Sequence, residues 1–249
     1  MERQSATVAC AQCPLSGRKG LRPLTPDLLD FVQRFKEGEV EVDRGELLLE
    51  QEKRSIHLYT LLEGVLVRFL TLDDGRRQIV NFMFPGDFVG LQGAFDDRLS
   101  HSVQALIPAR LCNFGRRRFY ELVSEHPQLA YDLIWLAACE ETELEDHMMA
   151  LGQRNAREKV AYMAVWLHDR ALASGIPVLN GQHLDLPITQ AQIADMLGLS
   201  LVHTNRTLKA LARDSLLFWT PGRITLPDRQ RAVGFAQYEE RSQQLRPFI

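Results

Sequence analysis

No stretch of this 249-residue sequence approaches the roughly 18 consecutive apolar residues of a membrane-spanning helix. The longest apolar runs, such as LIWLAAC at 133–139, are core-sized. The opening residues, MERQSATVAC, lack the apolar centre of a secretory signal, so a cytoplasmic protein with no membrane partner is expected. Positive charge is not in excess: 29 Lys and Arg against 32 Asp and Glu give a net charge of −3, so any affinity for nucleic acid must come from a local patch. Cysteine is scarce, at Cys10, Cys13, Cys112 and Cys139. In a reducing compartment these are not expected to be structural disulfides, which leaves metal binding, redox sensing or burial as small hydrophobes. G-x-S-x-G, H-E-x-x-H and P-loop motifs are absent, and His57, His101 and Asp87 form no nucleophile–base set, so an enzyme is not expected. There is no internal repeat and no low-complexity tract. A composition 45% hydrophobic and 24% charged argues for a folded core.

What is there reads as an α+β chain in four parts. Residues 1–20, with CAQCPLSGRKG, form a cysteine-containing arm. Residues 21–123 open with a helix at TPDLLDFVQRF, capped by Thr25 with Pro26 at its first position. They continue as short strands (ELLLE, IHLYTLLEG, VLVRFLTL, RQIVNFMF, RLCNFG) separated by Gly64, DDG at 73–75, PGD at 85–87 and FDD at 95–97. TLDDGRRQIV is a hairpin signal, and the spacing predicts a β-roll of the jelly-roll kind. Residues 124–153 read as one long helix, with Ser124 as its cap. Its apolar positions suggest pairing with a second copy along Leu133, Leu136, Glu140, Leu144, Met148 and Leu151. Glu140 would then face its own copy and oppose pairing. GRRRF at 115–119 reads as a solvated basic face.

Residues 154–249 hold a further helix at 155–175, then two helical runs broken by Gly198, then a hairpin at LLFWTPGRITLPD, followed by a weakly patterned polar tail. A small residue (Ala194), a turn residue tolerant of positive φ (Gly198) and locking residues Leu201, Thr204, Leu208 and Leu211 are what a helix–turn–helix requires. The outward face of the second helix carries Val202, His203, Asn205, Arg206, Lys209 and Arg213, with no acid between 196 and 213. Arg pairs with guanine, Asn with adenine, and Val touches a thymine methyl. Thr189, Gln190 and Ser200, at helix starts, suit phosphates. Double-stranded DNA is therefore the expected partner, and FWTPGRITL the wing.

LPITQAQIADMLGLSLVHTNRTLKAL, together with LEGVLVRFLTLDDGRRQIVNFMFPGDFVG, resembles the Crp/Fnr family of bacterial transcription regulators over nearly the whole chain. The resemblance implies a cyclic-nucleotide-binding-like roll, a homodimer joined along the long helix, a two-fold symmetric operator, and RNA polymerase as a further partner. It makes Arg206 the base-reading arginine. The family's acidic reader is Val202 here and its serine is Asn205, so a different half-site is expected.

The same resemblance bears on the signal. The family's ribose-binding Glu and phosphate-binding Arg-Ser pair are replaced in GDFVGLQGAFDDRLSHSVQAL by Gln92 and His101-Ser102, with Arg98 only nearby. Cyclic AMP is therefore not the expected ligand. Cys10 and Cys13 form a C-x-x-C, whose sulfurs can share one metal or cluster. By resemblance to the oxygen-sensing Fnr branch, Cys10, Cys13 and Cys112 look like three ligands of a [4Fe–4S] cluster. That branch's third arm cysteine would fall near Lys19 and is missing. Cys139, a carboxylate, a His or an external thiol remain open as the fourth ligand. A thiol switch, haem or another ligand remain open as alternative sensors.

Overall fold

The strand-like runs between 36 and 115 pair into one antiparallel sheet. The computed structural model describes residues 3–4 (by backbone), 8–95, 98–241 and 244–249, so the aspartates of the FDD turn lie outside the described residues. The strands are β1 (Arg3–Gln4), β2 (Lys36–Val42), β3 (Leu47–Leu49), β4 (His57–Thr71), β5 (Arg77–Met83), β6 (Phe88–Val89) and β7 (Ser102–Gly115). Their order is β1-β2-β7-β4-β5, with β3 on β7 and β6 on β4. The break expected at Gly64 is a bulge within a single 15-residue strand. The β4–β7 register shifts on either side of it, and a Cβ there would meet the Pro108 carbonyl oxygen at 2.5 Å. A residue without Cβ lets β4 kink and stay paired. The Asp73-Asp74-Gly75 turn does close the β4–β5 hairpin. Val40, Leu61, Leu66, Val103 and Leu111 fill the roll.

Helix α1 (Pro26–Phe35) starts as its sequence predicts, with the Thr25 hydroxyl accepting from the Leu28 amide. The helix expected from Ser124 onward is instead two helices, α2 (Phe119–Glu125) and α3 (Pro127–Gln153). Pro127 bars its predecessor from helical geometry, and His126 sits at φ −129°, ψ 78°. Ser124 donates to the Glu121 carbonyl and so belongs to the end of α2.

Beyond α3 follow α4 (Ala156–Ala173), β8 (Val178–Leu179), β9 (His183–Leu184), α5 (Gln190–Leu197), α6 (Leu201–Arg213), β10 (Phe218–Thr220), β11 (Arg223–Thr225) and α7 (Arg229–Ala236). Asn155 and Glu158 form a capping box at the start of α4. The small strands pair in the order β10-β11-β9-β8. Among the described residues no helix is long and apolar enough to cross a membrane.

The inward face of α3 differs from the one predicted. Leu129, Leu133, Leu136, His147 and Ala150 are buried against the protomer's own body. Between them Glu140 and Glu143 turn inward as well, Glu140 onto Arg68 at 2.5 Å and Glu143 onto Arg170 at 3.2 Å. Leu133, Leu136 and Glu140 are thus spent within one chain and do not form the expected pairing seam. The sequence pattern misleads here because two apolar stripes share one helix. The outward stripe is Tyr131, Ile134, Met148 and Met149, all more than half exposed. Leu144 and Leu151 sit half-buried beside it. The tail beyond α7 also departs from expectation: residues 246–249 return to the roll, where Phe248 and Ile249 are buried.

Candidate nucleic-acid interface and cysteine site

Helices α5 and α6 meet through the turn at Gly198, which takes a left-handed φ of 61° and closes α5. Thr189 caps α5 in a capping box with Gln192, and the Ser200 hydroxyl accepts from the His203 amide to start α6. The inward face of α6 is Thr204, Thr207, Leu208 and Leu211. Leu201, expected to lock the helix, is instead more than half exposed at the first position of α6. Val202, His203, Arg206, Lys209 and Arg213 point to solvent. None of Arg206, Lys209 and Arg213 is neutralised by an acid among the described residues, whereas the neighbouring Arg223 and Arg157 are paired to Asp185 and Asp214. Asn205 donates to the Gln190 side chain at 3.1 Å, so the start of α5 orients a reading residue of α6. The β10–β11 hairpin turns at Pro221-Gly222, as its sequence indicates, and flanks this face.

The arm, read from sequence as a loop, is packed. Cys10 heads a short 3-10 turn, and its amide donates to the Gln33 side chain of α1 at 2.6 Å. Cys10 and Leu15 are buried, and both lie with Cys112 in one apolar cluster, against which Cys13 packs. Cys112 is on β7, paired with Glu39 of β2 and Thr60 of β4. Three of the four cysteines, from two distant parts of the chain, therefore belong to one apolar cluster. Lys36 and Glu39, which sequence reasoning did not single out, complete the site as a buried ion pair 2.5 Å apart. Arg110 also holds Glu39, at 2.9 Å.

Burial raises the pKa of all three thiols, that of Cys112 to about 12, and the Lys36 ammonium opposes the rise without reversing it. In this arrangement burial disfavours the thiolate at all three, and Cys10 and Cys112 are buried while Cys13 is half-buried. Cys139 is elsewhere, on α3 within electrostatic reach of Arg246, Arg170 and Glu143. Among the described residues no group of three or more His, Cys, Asp or Glu side chains stands so as to hold one metal ion.

Protein charge is gathered where the PGD turn meets α3, α4 and the tail. Asp87 of the PGD turn accepts from Arg170 at 2.7 and 2.8 Å, from the Phe84 amide at 2.8 Å, and pairs with Arg246 at 2.7 Å. The space between Asp87, Glu140, Glu143 and Leu136 amounts to about 30 Å³, room for little more than a water. Gln92 bonds to Ser100, and His101 lies beside Ser100 with its pKa lowered to about 4 by burial and Arg68. His57 lies 3.3 Å from Glu37. Within GRRRF, Arg118 pairs with Glu121 and donates to the carbonyls of Arg34 and Phe35, holding the end of α1, so it is not merely a solvated charge.

Residues 39–126 match the cyclic nucleotide-binding domain family and residues 158–231 the Crp-like helix-turn-helix domain family. The nitrogen fixation regulation protein FixK of Bradyrhizobium diazoefficiens is 35% identical over 79% of this chain and 81% of its own length. The transcriptional activatory protein AadR of Rhodopseudomonas palustris is 33% identical over 75% and 76%. The structure of FixK2 from Bradyrhizobium japonicum covers 79% of this chain and 96% of its own, at 28% identity and a TM-score of 0.70. These relatives are regulators of transcription, not enzymes, and the chain belongs with them to the Crp/Fnr family of DNA-binding transcription regulators.

Proposed function

We propose that this regulator binds a two-fold symmetric DNA site as a homodimer, with α6 in the major groove, and that its affinity is set by an oxygen or redox signal received at Cys10, Cys13 and Cys112. The observation that carries the DNA-binding part is the unneutralised cationic face of α6, which the Thr189 and Ser200 caps and the Gly198 turn present to solvent. Arg206 and Asn205 read bases, Val202 and His203 adjoin them, and Thr189, Gln190, Ser200 and Lys209 contact backbone phosphates. Two copies meet along Ile134 and Met148 of α3, which spaces the two recognition helices roughly 34 Å apart.

For the signal, the chain offers three thiols in one place and a fourth cysteine in another. A [4Fe–4S] cluster takes four ligands, and the shielded set does not stand ready to hold a metal ion, so the residues do not fit the cluster in this arrangement. Direct thiol oxidation is the simpler reading, provided the raised-pKa thiols are first uncovered: two thiols give two electrons and two protons to a peroxide, which leaves as two waters while a disulfide forms. The convergence of a C-x-x-C with Cys112 keeps the cluster as a second reading, one that needs a ligand from outside the four cysteines. RNA polymerase is a partner of this proposal by family analogy alone.

Purification without oxygen, followed by iron and sulfide analysis and a visible spectrum, separates the two readings. Iron and sulfide with a broad visible band support the cluster. An iron-free protein whose operator affinity falls on adding hydrogen peroxide, and recovers with dithiothreitol, supports the thiols. An iron-free protein with one affinity in both states rejects redox sensing.

A further inference from the structure

The polypeptide beyond α7 connects the cysteine site to the DNA-binding half. Residues 246–249 lie against the arm, where the Arg246 amide donates to the Gly20 carbonyl at 2.7 Å and the Arg22 amide donates to the Arg246 carbonyl at 2.8 Å, a parallel bridge at Leu21. Phe248 and Ile249 are buried in the apolar cluster that contains Cys10 and Cys112. The Arg246 guanidinium reaches Asp87, which also holds Arg170 of α4. The arm touches α4 directly as well. Arg18 donates to the Ser174 carbonyl at 3.3 Å, and at Gly20 a Cβ would stand only 2.2 Å from the Ala173 carbonyl oxygen. Arm, tail and the end of α4 thus form one junction, and the recognition face stays open in the arrangement it holds.

We propose that residues 246–249 act as a latch: docked, they shield the cysteines and hold the DNA-binding half in its operator-binding arrangement; undocked, they expose the thiols and lower operator affinity. This rests on the reading of Cys10, Cys13 and Cys112 as the signal-receiving site. The physical basis is shared space. Phe248 and Ile249 belong to the same apolar cluster as the thiols, so a disulfide or modification there is expected to disturb their packing. Losing it frees Arg246 from Asp87. Coupling of this kind is reciprocal, so operator DNA must in turn protect the thiols.

The test uses the full-length dimer and an operator selected from random DNA on the wild-type protein. The rate at which N-ethylmaleimide modifies Cys10, Cys13 and Cys112 is followed by peptide mass spectrometry, with and without operator. Operator should slow modification of the wild type about five-fold or more, the lower end of ordinary allosteric coupling. Arg246→Ala and Phe248→Ala should be modified faster in the absence of DNA, lose the protection, and bind operator more weakly by a similar factor. Arg246→Ala leaves Asp87 with Arg170, so it has no uncompensated buried carboxylate, and Arg246→Lys should restore most of the wild-type behaviour. Arg206→Ala should bind operator more weakly while its free-state modification rate stays that of the wild type. Unchanged modification rates in both tail variants, or faster modification with unaltered operator affinity, overturn the latch. Wild-type affinity that ignores hydrogen peroxide overturns the redox reading instead, whatever the tail variants do.

Discussion

Arg68 of β4 and Glu140 of α3 are bonded at 2.5 Å, with the arginine almost wholly buried. Burial raises the Glu140 pKa and Arg68 opposes the rise. The acid that by its sequence position would repel a second copy instead neutralises a cation inside its own roll. Glu140→Ala is therefore expected to destabilise the fold by about 3 kcal/mol, because it leaves Arg68 buried and unpaired. It should not tighten the dimer. Urea unfolding with sedimentation of the same variant checks both; a tighter dimer at unaltered stability would return Glu140 to the pairing seam.

Arg206 and Lys209 separate reading from holding. Arg206→Ala should cost about 1–3 kcal/mol on the selected operator and relax preference at one base pair in each half-site. Lys209→Ala should weaken binding evenly across sequences and reduce the salt slope by about one per subunit. Gln190→Ala should act through its neighbour: it frees the Asn205 amide, so preference falls at the base next to the one Arg206 reads. Anisotropy titrations on single-substitution operator libraries at several salt concentrations distinguish the three patterns.

How much of the molecule is legible in its sequence depends on whether a signal is local. The Thr189 and Ser200 caps, the positive φ at Gly198 and the Pro221-Gly222 turn are each fixed by the chemistry of a few consecutive residues, and the structure agrees with all of them. The gathering of Cys10 and Cys13 with Cys112 is suggested by family resemblance, and Lys36 and Glu39 beside them are not, since nothing in KEGEV marks which strand face meets a thiol. The α3 seam is misplaced by a sequence reading because 3.6-residue periodicity does not say whether an apolar stripe faces the protomer or a second copy. The docking of residues 246–249 is invisible for another reason: two apolar residues, Phe248 and Ile249, carry it, and their partners are more than a hundred residues away.

Two apolar stripes on one helix make a sharp contrast of variants. Ile134→Asp and Met148→Asp place charge on the outward face, so each is expected to weaken self-association at least ten-fold while leaving the protomer folded. Operator affinity should fall with it, since one subunit contacts one half-site. Leu133→Ala acts on the inward stripe and should cost about 2–5 kcal/mol of fold stability, with no separate effect on pairing. Sedimentation velocity and thermal unfolding of the three proteins decide the matter: a folded monomer from Leu133→Ala would reverse the assignment of the faces.

Acid should unfold the protein well above the ordinary carboxylate range. Burial lowers the pKa of His101, His147 and His168 to about 4; Arg68 adds to the effect at His101, and Arg68 with Arg170 at His147. The unfolded chain takes up protons at these residues near the usual value of about 6.5, which the native state refuses until the pH nears about 4. The sign follows: their cost is absent above pH 7, grows as pH falls through 6.5, and levels off near 4. Each histidine contributes a slope of about 1.4 kcal/mol per pH unit within that window. His147 bonds the Tyr162 hydroxyl at 2.7 Å, and Gln preserves a polar partner there without accepting a proton. His147→Gln should thus flatten the fall in unfolding temperature between pH 6.5 and 4.5 by about one proton's worth relative to the wild type. An unaltered pH slope would mean that His147 takes up its proton in the folded state as readily as in the unfolded one.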